Sequence, residues 1–401
     1  MGQEQQRQQD HEGKAGRGMK IVIASDKFKG TLTGAEVAAA LHTGLSRVID
    51  PLECVTVPVA DGGEGTVDAA LAAGFTERRA RVTGPTGQRL EASYALHEGI
   101  AVIEMAAASG LDLLPGGTRQ PLTATSYGTG ELISDALTAG ATRIVLGVGG
   151  SATTDAGAGM LQALGASLRD AQGRELPGGG AALAQLATAD LTGLDERLRH
   201  TTVVLAADVE NPLTGANGAA AVFGPQKGAN AEQVAELDAA LTHFADLLEA
   251  ELGSAYRQQP GAGAAGGMGY AAIALLGAER RRGIDVVLEL TGLDQALAGA
   301  DAVITGEGSL DSQSLEGKTP IGVAQAAAAH RIPVYAVCGR TTLDPEQLAN
   351  AGIRHTVALV DLVKDPGEAM TRSAELVTEA GTRLAKTIAQ EHAASTTAGR
   401  R

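Results

Sequence analysis

Large aromatic side chains are almost missing from this chain of 401 residues, which has no Trp, four Phe and five Tyr. A protein that stacks unpaired bases needs exposed rings, so single-stranded nucleic acid is not an expected partner. Positive charge is also scarce: 32 Lys and Arg stand against 47 Asp and Glu, a net charge of −15. That balance argues against nucleic-acid and anionic-membrane surfaces in general. Cys54 and Cys338 are the only cysteines, each beside valine. They form neither a metal pattern nor a redox pair, and read as buried thiols of a reducing compartment, with the cytoplasm as the expected location. No apolar run has the length of a membrane span, and no secretory h-region follows the N-terminus. The histidines lie outside the glycine-rich loops, and neither a G-x-S-x-G elbow nor a complete G-x-G-x-x-G fingerprint occurs.

Glycine is what the chain has in abundance, with 54 residues against 13 prolines and no collagen-like period. The hydrophobic fraction of 44% is that of a globular protein, long enough for two domains. Residues 1–18 are polar and aperiodic and are expected to form a disordered extension. The most informative stretch is 144–165. Ile144, Val145, Leu146 and Val148 read as a buried strand, and Met160, Leu161 and Leu164 open a helix. Between them lie Gly149, Gly150, Ser151, Thr153, Thr154 and Asp155. Such a turn presents backbone N–H groups to an anion, with an acid beside it that could hold a metal; a tight connection alone would also need the glycines.

The same pattern recurs. A strand over 20–24 precedes a loop with Lys27 and Lys29, and Thr33 with Glu36 has capping-box spacing before a helix over 35–48. A strand over 54–59 ends at Asp61-Gly62-Gly63-Glu64-Gly65-Thr66, where two carboxylates among three glycines suit a cation or a hydroxyl proton. Residues 82–105 read as hairpins around Gly84-Pro85 and Glu98-Gly99. A strand over 203–207 ends at Asp208, and Lys227 follows in a Gly-Pro loop. Gly/Ala-rich residues 261–269 form either a domain crossover or a pocket wall. A strand over 301–305 is followed by a loop with Glu307 and Asp311; Lys318 then stands before a helix start at Pro320. Ser312 replaces the first glycine of a P-loop, so Lys318 is a phosphate ligand without a true Walker motif. A last amphipathic helix is expected over 367–392, with Met370, Ala374, Val377, Leu384 and Ile388 inward.

Glycine loops with Asp, Glu, Lys and small hydroxyls suit phosphoryl transfer, which asks mainly for positioning, metal-held phosphates and a base. Asp61 to Thr66, Gly149-Gly150-Ser151, Asn211 to Gly215, Phe223 to Gly228, Gly306-Glu307-Gly308, Asp311 and Gly317-Lys318 together resemble the type I (bacterial) glycerate kinase family. The resemblance runs in order from about residue 19 to the C-terminal helix. It implies phosphorylation of D-glycerate by ATP with Mg²⁺ to 2-phosphoglycerate or 3-phosphoglycerate, in organic acid catabolism. It also implies two α/β domains facing a cleft: a flavodoxin-like one with a mainly parallel sheet, expected over 19–85 plus 265–395, and an inserted one with a mixed sheet over 86–264. On that reading Asp61, Asp208 and Lys27 are the catalytic candidates. Lys29, Ser151, Thr154 and Glu64 are the substrate contacts, and Lys227, Lys318, Gly149, Gly150 and Glu307 the nucleotide contacts. Asp155, Asp208 and Asp311 are the expected metal ligands. The family often has Asn-Asp-Gly where Thr154-Asp155-Ala156 stands. Small-molecule substrates are the expected partners, and a homodimer is left open. A hydroxy-acid dehydrogenase and a non-catalytic binding module are the alternatives; the first would want a complete dinucleotide fingerprint.

Overall fold

The computed structural model describes residues 18–398. The expected extension therefore lies, except for Gly18, outside the described residues. In chain order the strands are β1 (Met19–Ser25), β2 (Leu52–Thr56), β3 (Thr76–Thr83), β4 (Arg89–His97) and β5 (Ile100–Glu104). They continue with β6 (Arg143–Gly147), β7 (Ser167–Arg169), β8 (Thr188–Asp190), β9 (Thr202–Ala206), β10 (Glu279–Arg281), β11 (Ala302–Leu310), β12 (Val334–Thr341) and β13 (Ile353–Ala358). Contacts divide the chain into one unit made of residues up to 59 together with those from 288 onward, and a second made of residues 60–287.

The first unit is built on one parallel sheet in the order β13-β12-β11-β1-β2. Read from the other edge, this is the flavodoxin-like order, with β1 next to the third strand. Ile21 to Ser25 are buried in succession, as expected of a parallel strand covered on both faces. The helix Gly34–Leu45 starts at the expected capping box of Thr33 and Glu36 and buries Val37, Leu41 and Leu45. Those side chains share a core with Ile21, Ile23, Val377 and Leu384. Two expectations change here. Strand β11 does not stop at 305 but pairs with β12 as far as Leu310, because Gly306 and Gly308 continue the ladder instead of turning it. The last helix begins at Ser373, since Arg372 departs from helical geometry (φ −114°, ψ 21°), and this leaves Met370 63% exposed instead of inward.

The second unit is mixed, in the order β10-β9-β6-β5-β4-β3, with β5, β6, β9 and β10 parallel and the β3–β4–β5 meander antiparallel. Residues 60–85 group with this unit and not with the first, where the sequence placed them; within that span β3 pairs with β4 along its whole length. Residues 265–287 belong to it as well. Of the Gly/Ala-rich run, read as either a domain crossover or a pocket wall, Ala264 and Ala265 line a cavity, and Met268, Tyr270, Ala271 and Ala272 of the helix Ala264–Leu275 are buried in the unit's core. Cys54 is only partly buried, while Cys338 is buried as expected. Among the described residues no helix is long and apolar enough to cross a membrane.

Candidate active site

In the second unit, the carboxyl ends of β6 and β9 carry the loops that the sequence singles out, which is where a parallel sheet exposes its crevice. Asp61, Gly149, Gly150, Ser151, Asp208 and Lys227 line a cavity of about 440 Å³ there. Phe223, Leu111, Val148 and Val209 supply its apolar wall. Glycine is required where the loops meet: a Cβ on Gly149 would lie 2.9 Å from the Cα of Gly63. Glu104, at the end of β5, accepts the N–H groups of Gly65 (3.0 Å) and Val67 (2.8 Å) and so ties down the Asp61 loop. Sequence reading missed Glu104; its signal was an acid directly at a strand's carboxyl end.

The two cavity carboxylates are each held by one oxygen. Asp61 Oδ1 accepts the N–H of Gly63 at 3.2 Å, and Asp208 Oδ1 accepts that of Gly283 at 2.9 Å. Partial desolvation raises the Asp208 pKa, Asp61 and Asp285 adding to it while the Gly283 bond and Arg282 oppose it. Lys227 lines the same cavity and is buried, 2% exposed. Its Nζ donates to Thr153 O at 2.5 Å and to Ser151 Oγ at 3.3 Å. Burial pushes this ammonium down to about 7, against the attraction of Asp155.

Not every expected residue reaches the cavity. Glu64 is exposed on its loop and does not line it. Thr154 is completely buried, and its hydroxyl has no partner among the described residues. Asp155, expected to hold a metal, is fully buried and has both oxygens engaged. They accept from Ser126 N and Oγ (both 2.8 Å), Gly157 N (3.2 Å) and Gly159 N (3.4 Å). That donor set organises a loop, and Asp155 is not among the residues that line the cavity. Among the described residues no group of three or more His, Cys, Asp or Glu is placed to hold a metal ion. The pair Asp61 and Asp208, each with its second oxygen free of partners among the described residues, fits a cation that keeps water and phosphate oxygens as its other ligands, as Mg²⁺ does.

The remaining candidates fall in the first unit, at the switch point where helices leave β1 and β11 in different directions along the sheet. Lys29 is exposed and Lys27 half-buried. Asp26, which the sequence reading left out of its candidates, accepts from Lys27 N (2.6 Å) and Thr319 Oγ1 (3.3 Å). Glu307 accepts from the Ser314 hydroxyl. Desolvation pushes Glu307 up to about 7, with Asp26 and Asp311 adding and Ser314 and Lys318 opposing. Asp311 Oδ1 accepts from Gln313 N at 2.9 Å, and Lys318 Nζ donates to Gln313 Oε1 at 3.4 Å. Lys318 is the N-cap residue of the helix Thr319–Ala329, one position earlier than the expected helix start at Pro320 implies.

Residues 21–389 match the model of the glycerate kinase family. A Bacillus subtilis protein named glycerate kinase is 48% identical over 382 residues, covering 92% of this chain and 99% of its own. An Escherichia coli K12 protein named glycerate 2-kinase is 47% identical, covering 92% and 98%. A crystal structure described as glycerate kinase 2 of Salmonella typhimurium LT2 superposes with a TM-score of 0.84 at 45% identity, covering 94% of this chain and all of that one. The chain belongs to the glycerate kinase family.

Proposed function

We propose that the chain transfers the terminal phosphoryl group of ATP to D-glycerate, acting in the cytoplasm, and that its product is 2-phosphoglycerate. The carrying observation is the cavity of the second unit, lined by Asp61, Asp208 and the buried Lys227. An acceptor that is itself an acid needs a cation or backbone N–H groups for its carboxylate. Lys227, Ser151 and the Gly149-Gly150 turn offer both. The acceptor hydroxyl needs a group to take its proton, and the raised pKa of Asp208 suits it to that role. Asp61 then stands as the protein ligand for Mg²⁺, which when bound neutralises phosphate charge and orients the transferring group. Lys27, Lys29, Glu307, Asp311 and Lys318 are proposed as ligand contacts of the first unit's own crevice.

The choice of the 2-hydroxyl follows the name of the Escherichia coli relative. Phosphorus NMR of the product formed from Mg²⁺-ATP and D-glycerate tests it directly. A doublet from a phosphate on the secondary carbon supports the proposal, whereas a triplet from a phosphate on the CH₂ carbon would assign the 3-hydroxyl. Intact ATP with folded protein would move the acceptor to another hydroxy acid.

A further inference from the structure

The loop that leads out of the cavity carries an acid that the chemistry above does not use. Asp155 is fully buried, and its carboxylate partners are donors: the N–H groups of Ser126, Gly157 and Gly159, and the Ser126 hydroxyl. That hydroxyl accepts from Met160 N at 3.0 Å, so its own hydrogen is directed to Asp155. Burial raises the Asp155 pKa and these hydrogen bonds oppose it: they favour the charged form, and a protonated carboxyl would need an acceptor that this set does not provide. Two residues earlier on the same loop, Thr153 O receives the Lys227 ammonium at 2.5 Å. Among the described residues, Lys227 itself donates to neutral oxygens only, those of Thr153 and Ser151. The other charged groups around it are Asp61 and Asp208 on the cavity wall, and Arg119, whose side chain packs over Gly228.

We propose that Asp155 is a positioning residue for anion binding: its buried carboxylate keeps Lys227 charged, and its hydrogen bonds hold the loop that aims Thr153 O at the ammonium. The proposal rests on the reading of Lys227 as the anion ligand of the cavity. A cation with no carboxylate in contact stays available to an incoming carboxylate or phosphate oxygen. One fixed behind a short stretch of backbone by a buried anion also keeps its proton when the cavity is empty. Desolvation works against that proton, and Asp155 works for it.

The test is the pH dependence of kcat/KM for D-glycerate between pH 6 and 9. If Lys227 must be charged, activity falls on the alkaline side as it deprotonates. Loss of the Asp155 charge lowers the Lys227 pKa, so in Asp155→Asn the alkaline limb moves to lower pH, by about one unit for a nearby buried charge. Ser126→Ala weakens the carboxylate without removing it, and should move the limb in the same direction by less; it keeps the test alive if Asp155→Asn does not fold. A uniform loss at every pH, with the limb where it was, overturns the proposal and leaves Asp155 as a loop anchor only. Lys227→Met separates the two readings. A raised KM with the limb gone supports the anion-ligand reading, and an unchanged KM for both substrates removes that reading itself.

Discussion

Each unit holds one group pushed to about pH 7 from an opposite direction. In the first, Glu307 rises from the ordinary glutamate range; in the second, Lys227 falls from that of lysine. The leading cause is desolvation in both, since burial disfavours whichever form carries charge. The consequence for an anionic substrate is nevertheless the same. Raising the pH through 7 gives Glu307 a negative charge and takes a positive one from Lys227, so both units become less hospitable to carboxylates and phosphates. The supporting structures differ. Glu307 sits on a strand among partly exposed neighbours, whereas Lys227 depends on a loop that is buried from Ser151 to Met160.

The largest effect should come from the cavity acids. Asp208→Asn should lower kcat by about 10²- to 10⁴-fold with a smaller change in KM, the pattern of a lost proton acceptor. Asp311→Asn, in the first unit, should lower kcat by less than about tenfold, because Asp311 Oδ1 accepts a local turn N–H and the variant keeps an acceptor oxygen there. Steady-state kinetics on the two variants decide this, and equal losses would end the assignment of the chemistry to the second unit's cavity.

Next in size is Gly266→Ala. Gly266 has φ +71°, and a Cβ there would stand 2.0 Å from Thr153 O, the acceptor of Lys227. Strain plus a backbone clash should destabilise by about 2–4 kcal/mol and raise KM for glycerate. Urea unfolding with parallel kinetics checks both. An unperturbed KM in folded protein would break the link between this loop and substrate binding.

How much of this could be read beforehand depends on what the residues had to reveal. Strands such as β1, β6 and β9 are uninterrupted apolar runs, and Thr33 with Glu36 is a local signal, so these elements were legible. Asp61, Ser151 and Asp208 stood out because each follows a strand in a loop with small residues, and Lys227 because it sits in a Gly-Pro loop. Asp155 was not. It lies among the same small residues as Ser151, and only the fold decides that its carboxylate turns inward to Ser126 instead of outward to the cavity. Glu307 misled for a related reason: glycines on both sides suggest a turn, but in a parallel ladder opposite Gly339 they allow close strands. The domain limits at 59/60 and 287/288 were hidden because β3 looks like any alternating strand until its partner β4 is known.

A smaller effect sharpens the contrast in pH response. The folded-state pKa of Glu307 lies above its unfolded value, so the native state binds more protons than the unfolded state between about 4.5 and 7. Stability from this residue is therefore full below that window and is lost as pH rises through it. Glu307→Gln, which keeps an acceptor for Ser314, should stabilise by roughly 2 kcal/mol at pH 8 and by almost nothing at pH 4. Denaturant midpoints at the two pH values measure it. Equal effects at both would mean that Glu307 is not held neutral by its surroundings.

The smallest effect concerns a departure from the family pattern, Ala156, which occupies the left-handed region at φ +53° with its side chain fully buried. Relief of that strain in Ala156→Gly is worth about 1–2 kcal/mol. Against it stand the extra unfolded-state entropy of glycine, about 0.5–1 kcal/mol, and the loss of one buried methyl, about 0.8 kcal/mol. The terms nearly cancel, so the variant should lie within about 1 kcal/mol of the parent and keep its KM. Gly266 differs because its backbone freedom comes with an oxygen 2.0 Å from any Cβ, whereas the Ala156 methyl already has room. A loss above about 2 kcal/mol on replacing Ala156 would show that its methyl is a required contact of the loop. That result would place the departure at Ala156 in the packing that holds Asp155, instead of among tolerated substitutions.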